Sequence, residues 1–226
     1  MFLACGRAPW LPRRLDGRDI VTWLNETTFF DLPLSALPSP AARLVANVQT
    51  TGHRGGHDLH YRTLHAIGVH LLGRLAGVEG YRAYFASDLA DSVAFGDARY
   101  ADIGQLLTEQ LCARRIAVPK LPDPPPFHAD SPLELDLKGF VAVIFTSGFR
   151  PDYTHWVHFP AFDAMGFPLT DNGASTVVQN LYFCGVHFLR KRKSAVLIGA
   201  GEDATIVARS IAHNRSHHGT AQQSGR

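Results

Sequence analysis

The chain carries no surplus of charge of either sign: 22 lysines and arginines face 20 aspartates and glutamates, a formal net charge of +2 over 226 residues. That excludes the broad basic surface with which proteins hold nucleic acid or an anionic membrane. Cysteine is scarce. Cys5, Cys112 and Cys184 are odd in number, far apart and without CxxC spacing, so no disulfide framework is expected and a reducing, cytoplasmic setting is. No apolar run reaches the ~18 residues that span a bilayer, and mean hydropathy is −0.04. The opening MFLACGRAPWLPRR lacks the basic-then-apolar order of a secretory signal. Internal repeats are absent, as is a GxSxG nucleophile elbow: Ser147 in TSGF does not fit it, and no cysteine has a histidine base nearby. Hydrolase chemistry therefore finds no support.

What is present is ordinary globular material, 46% hydrophobic and 19% charged, long enough to bury a core. Phe2, Leu3 and Ala4 read as the end of a buried strand entering a Gly/Pro/Arg loop. Asp19 suits the N-cap of a short amphipathic helix through Ile20, Val21 and Leu24, and a further turn or two of helix is expected within 41–48. A third helix is expected over Leu59–Ile67, closed by Gly68. VHLLGRLAGVEG and YRAYFASDL read as two strands joined by a turn at Gly77–Gly80. From Leu89 to Ile116 the periodicity is helical, with Ile103, Leu106, Leu107 and Leu111 on one stripe. Six of the fourteen prolines fall between Pro119 and Pro132, which marks an irregular surface crossing. FVAVIFTSGFRPDY is a continuous apolar run, the pattern of a strand buried on both faces. A strand at Leu181–Gly185, a helix from about Glu202 to Ala212 and a frayed polar tail complete the expectation.

Three local constellations invite chemistry. SAVLIGAGEDATIVARSIA has the order strand, GxGxxA, helix, but no βαβ unit follows it, so a second dinucleotide fingerprint is excluded. Two readings stay open: a glycine turn whose helix amides face an anionic or electron-rich group, and an ordinary helix capped by Glu202 and Asp203. Five histidines, His53, His57, His60, His65 and His70, have some helical spacing, yet Gly55 and Gly56 interrupt them and no HExxH is present, so no metal site is expected. The run Arg190–Lys193 fits a solvated loop or a local phosphate contact better than a nucleic-acid patch. Arg7, just past a strand end, has the position from which a basic side chain meets a ribose 2′-phosphate.

FTSGFRPDYTHWV, followed by NLYFCGVHFLRKRKSAVLIGAGEDATIVA, closely resembles the carboxy-terminal half of bacterial flavin-containing monooxygenase-like FAD/NAD(P)-dependent oxidoreductases, flavoproteins sometimes labelled potassium-transport-associated. CGRAPWLPRRLDGRDIVTWL, FFDLPLSALP, GGHDLHYRTL and HLLGRLAGV extend the likeness over nearly all of residues 3–212. The resemblance implies an α/β fold made of part of two nested dinucleotide-binding (Rossmann-like) domains, lacking its amino-terminal βαβ. Residues 1–146 would be the remainder of the NADPH domain with a helical insertion and a Pro-rich linker, 147–212 the carboxy-terminal part of the FAD domain, and 213–226 a disordered tail. Arg7 would meet the NADPH 2′-phosphate, with Arg13 and Arg14 near it. Gly148, Phe149 and Asp152 would mark the return to the FAD domain, and Gly185 its last strand. Gly201, Glu202, Asp203 and Ala204 would open the final helix toward the flavin. The implied activity is that of a flavin-dependent monooxygenase, hydride passing from NADPH to FAD and then O2 reacting, with a small-molecule substrate. Both GxGxxG fingerprints lie upstream of Met1 in that family. The resemblance therefore implies a shortened form, a complementing amino-terminal polypeptide, or a catalytically incomplete nucleotide-binding or regulatory fragment linked to potassium transport.

Overall fold

A computed structural model describes residues 1–45 and 48–223, with side chains given through residue 214. The chain divides into two compact units, Met1–Thr27 with Val45–Ser147, and Thr28–Leu44 with Gly148–Arg226. Thr28–Leu44 thus falls with the later residues and not with the rest of the expected 1–146 region.

In the first unit, β1 (Phe2–Ala4) lies parallel to β4 (His70–Leu72), with Leu3 opposite Leu71. The ladder runs on through Cys5, whose N–H donates to the Leu72 carbonyl at 3.0 Å. Between them come the two-residue strands β2 (Arg14–Leu15) and β3 (Arg18–Asp19), then α1 (Ile20–Asn25) and α2 (Tyr61–Ala66). Asp19 caps α1 by accepting the Val21 N–H at 2.9 Å, as its position before an apolar stripe predicts. β5 (Leu75–Glu79) and β6 (Arg82–Phe85) form a hairpin, but its turn falls at Gly80–Tyr81, Gly77–Glu79 are paired inside β5, and His70–Leu72, expected in the same strand, pair with β1 instead; β7 (Glu134–Asp136) joins the open edge to make the largest sheet, of three strands. The long helix α3 spans Leu89–Ala113, and the proline segment after it is irregular.

Because consecutive strand residues point to opposite faces, Leu71 and Leu72 serve two cores. Leu71 packs with Cys5, Tyr61, Val69, Leu89 and Val93. Leu72 packs with Ala83 and Phe85 of the hairpin.

The second unit has little sheet. β8 (Thr170–Asp171) and β9 (Ala174–Ser175) pair over two residues each, and Phe167, Val186 and Leu189 form a small core. A 3-10 turn at Arg192–Ala195 leads into α4 (Leu197–Gln223).

The architecture is thus mixed α/β with small separate sheets, and no Rossmann sheet forms among the described residues. Three expected elements differ for physical reasons. FVAVIFTSGFRPDY forms no strand, and residues 141–150 are all exposed. A continuously apolar strand needs neighbours on both edges and cover on both faces, and none of the described residues supply them. Leu181–Gly185 makes one bridge, Tyr182 to Ala174, rather than a strand. Before the GAGEDA segment there is a turn instead of a strand: the buried Ser194 hydroxyl accepts the N–H groups of Arg190 and Lys191 at 3.2 and 3.1 Å, folding the chain back on itself. Helix α4 then starts four residues before Gly201 and continues past Ala212 through the stretch expected to fray, although side chains 215–223 and residues 224–226 lie outside the described residues.

Candidate functional site

The loop that leaves β1 is held from several sides. The Tyr61 hydroxyl donates to the Gly6 carbonyl at 2.6 Å, and the Gln49 N–H donates to the Pro9 carbonyl at 2.7 Å. Trp10 stacks flat on Tyr100 with centroids 4.5 Å apart, while its indole N–H donates to Asp97 at 3.0 Å. Arg62 grips the same carboxylate with two bonds of 2.8 and 2.7 Å, the fork geometry that makes arginine a strong carboxylate partner. Burial works to raise the Asp97 pKa, but the bonds from Arg62 and Trp10 outweigh it and hold the carboxyl below its usual range. Gly96 is what lets the loop seat on α3, since a Cβ there would stand 2.9 Å from Trp10 Cδ1 and 3.0 Å from the Ala8 carbonyl oxygen.

The arginines of this loop divide sharply. Arg13 pairs with Asp19 at 2.5 Å and gives its backbone N–H to Asp58 at 2.5 Å. Arg14 donates to the Gly55 and Gly56 carbonyls. Arg7 is exposed and has neither an ion pair nor a hydrogen bond among the described residues. It sits at the carboxyl end of β1 in a parallel pair, where α/β sheets expose loops to ligands. On α3 nearby, an open cavity of about 410 Å³ is lined by Asp97, Tyr100, Leu121 and Asp123 among others.

Of the five histidines only His53 and His57 meet among the described residues, edge to face with centroids 6.5 Å apart. His60 is buried against Trp10 at 4.5 Å and its pKa is pushed down by burial, His65 meets Phe127 and His70 stacks on Phe2. Among the described residues no group of three potential ligands gathers for a metal.

In the second unit Gly148, Phe149 and Asp152 lie on the irregular segment and are exposed, Phe149 fully. Gly185 is exposed too, with φ +73° in a turn. Gly201, Glu202, Asp203 and Ala204 fall in the second turn of α4 rather than at its start. The amides of that turn are therefore spent on i−4 carbonyls inside the helix, and the expected row of free amides for a flavin is not found at these positions. Glu202 and Asp203 are instead engaged by cations. Arg190 reaches Asp203 at 2.8 Å and Glu202 at 3.1 Å, and Lys191 and Lys193 bridge Glu202 to Asp31 at 2.8 to 3.0 Å. Hydrogen bonds from the two lysines, then from Arg190, bring the Glu202 pKa down to about 2.

Of the residues singled out in the sequence, the structure brings Glu202 and Asp203 together with Arg190, Lys191 and Lys193, while Arg7 and Arg13 share a loop without a contact between them. The Arg62–Asp97–Trp10 cluster was not anticipated; its members are up to 87 residues apart and no local spacing announces them. No family model, curated protein or solved structure matches the chain.

Proposed function

We propose that the chain is the carboxy-terminal part of an FAD- and NADPH-dependent oxidoreductase of the flavin-containing monooxygenase-like type, in which the loop after β1 holds the adenosine 2′-phosphate of NADPH. The observation that carries the reading is the state of Arg7: a cation free of protein partners among the described residues, at the carboxyl end of a parallel strand, on a loop whose other two arginines are committed to Asp19 and to backbone carbonyls. An arginine in that place distinguishes a 2′-phosphate from a 2′-hydroxyl. Of the groups of the dinucleotide, Arg7 suits the 2′-phosphate. Arg7 would pair with the phosphate, and the Trp10–Tyr100 stack with the Arg62–Asp97 pair would keep the loop in place. Bound NADPH supplies a hydride for transfer. The flavin is carried by the family resemblance alone, because the second turn of α4 offers it no free amides, and no step through it is derived.

The bare run Val141–Phe149 supports a complementing polypeptide that would supply the missing sheet of a Rossmann-like domain. The small separate sheets, with no Rossmann sheet among the described residues, favour a second reading, a nucleotide-binding or regulatory fragment without turnover. The chain mixed with FAD and NADPH under air separates them. Oxidation of NADPH supports the enzyme; NADPH binding without its oxidation supports the fragment; absence of any dinucleotide binding contradicts both. Arg7→Ala is expected to weaken NADPH at least tenfold and leave NADH unchanged.

A further inference from the structure

The basic run at Arg190–Lys193 is not uniform. Arg190, Lys191 and Lys193 each reach a carboxylate, but Arg192 between them reaches none within 4 Å among the described residues. Its guanidinium lies 4.2 Å over the Phe29 ring and 5.6 Å from that of Phe188, and its Nε is sealed from solvent without a hydrogen-bond partner. Arg43, only 8% exposed, lies 4.3 Å over Phe167. It donates to the Phe188 carbonyl at 3.3 Å and has Asp163 at 3.7 Å, too far for a hydrogen bond, and its Nε is likewise buried and unpartnered. Both guanidiniums therefore border the His187–Phe188 step, and burial pushes the pKa of each down. His187 feels both, and its own pKa is pushed below the usual imidazole range by burial and then by the two arginines, against a hydrogen bond to the Arg43 backbone.

A guanidinium withdrawn from water is costly unless its donors are paired, and here a buried Arg43 with only a distant carboxylate and a partly buried Arg192 with none leave donors to be satisfied. Two guanidiniums, one loosely held carboxylate and a neutral imidazole leave one positive charge in surplus. We propose that Arg43 and Arg192 form a binding site for the carboxylate of a monoanionic organic ligand. A single carboxylate cancels the surplus, whereas a phosphate monoester, at about −1.5 to −2, overshoots it. Geometry agrees. With one face of each guanidinium covered by a phenyl ring, the donors left are those in its plane, which is how an arginine fork meets a flat carboxylate. The ligand's path in is past Arg192, His187 and Phe29, which are only partly buried.

The test is isothermal titration of the intact chain with benzoate and, separately, inorganic phosphate at fixed ionic strength, with thermal melts alongside. Benzoate is expected to bind one to one and more tightly than phosphate. Arg192→Met should weaken it at least tenfold while raising the melting temperature of the unliganded protein, since a half-buried guanidinium without a carboxylate partner has been replaced by an apolar chain. Arg192→Lys, which keeps the charge but not the fork, should fall between. No binding of benzoate, tighter binding of phosphate, or a lower melting temperature for Arg192→Met would each overturn the proposal.

Discussion

Strand β1 is three residues long and paired along its whole length, its neighbour β4 sending Leu71 into one core and Leu72 into another. The run from Val141 to Phe149 is longer and holds more apolar residues, yet it makes no backbone hydrogen bond among the described residues and leaves Ile144 80% exposed and Phe145 79% exposed. What separates them is the supply of partners. A strand's backbone groups and apolar side chains must be satisfied by other segments; β1 finds β4 along one edge and packs Leu3 on the core, and the later run finds neither. A milder form of the contrast runs through the two units. The first is organised by ladders and apolar clusters, and the second by two-residue strands and the ion pairs of Arg190, Lys191 and Lys193.

The largest expected effect lies on the paired side. Leu71→Ala should cost about 2–5 kcal/mol in urea unfolding, because Leu71 is 1% exposed and its removal leaves a cavity in the core beside β1. Ile144→Ala, at an apolar residue of similar size, should change stability by no more than about 0.5 kcal/mol; a loss comparable to that of Leu71→Ala would show that the bare run is packed after all and would erase the contrast. Next comes association. Ile144→Asp with Phe145→Asp should suppress self-association in sedimentation velocity with an unchanged melting temperature, since exposed apolar runs of β-forming residues are aggregation templates. Unchanged self-association in the double variant would break that expectation.

The smallest effect belongs to the ion pairs. The Glu202 pKa is lowered in the folded chain to about 2 from an ordinary 4.5. A depressed carboxyl pKa contributes stability that is fully present above the unfolded value and is lost as pH falls from about 4.5 toward 2. Glu202→Gln should therefore narrow the difference between urea midpoints at pH 6 and pH 3. Because the side chain is about a third exposed, the effect should stay below about 1 kcal/mol. A variant whose midpoints fall with acid as steeply as those of the parent would remove Glu202 from the account.

Much of the first unit was legible in its sequence because the signals are local. Asp19 before an apolar stripe, the alternating residues of β6, the stripe of α3 and the proline cluster all act over a few residues, whereas the turn expected at Gly77–Gly80 falls at Gly80–Tyr81. The strands expected at 140–147 and 181–185 failed because apolarity states a need for partners without saying that any exist. The glycines of GAGEDA misled for a related reason. A strand–turn–helix and a turn followed by a helix share that string, and the side chain of Ser194 and the tight approach of Gly199 to the Lys193 carbonyl decide between them. At the candidate site, the placement of Arg7 just past a strand end follows from the local pattern. The Arg62–Asp97 grip and the approach of Arg43 and Arg192 to Phe188 depend on long-range contacts that no spacing encodes.

The central claim is that the loop after β1 reads the 2′-phosphate of NADPH through Arg7. The measurement that bears on it most directly is the affinity of NADPH and of NADH for the parent chain and for Arg7→Ala, taken at one salt concentration. The account predicts that the parent prefers NADPH and that the variant loses this preference, with NADPH weakened at least tenfold and NADH unchanged. Equal weakening of both dinucleotides, or a parent chain that binds neither, would contradict it.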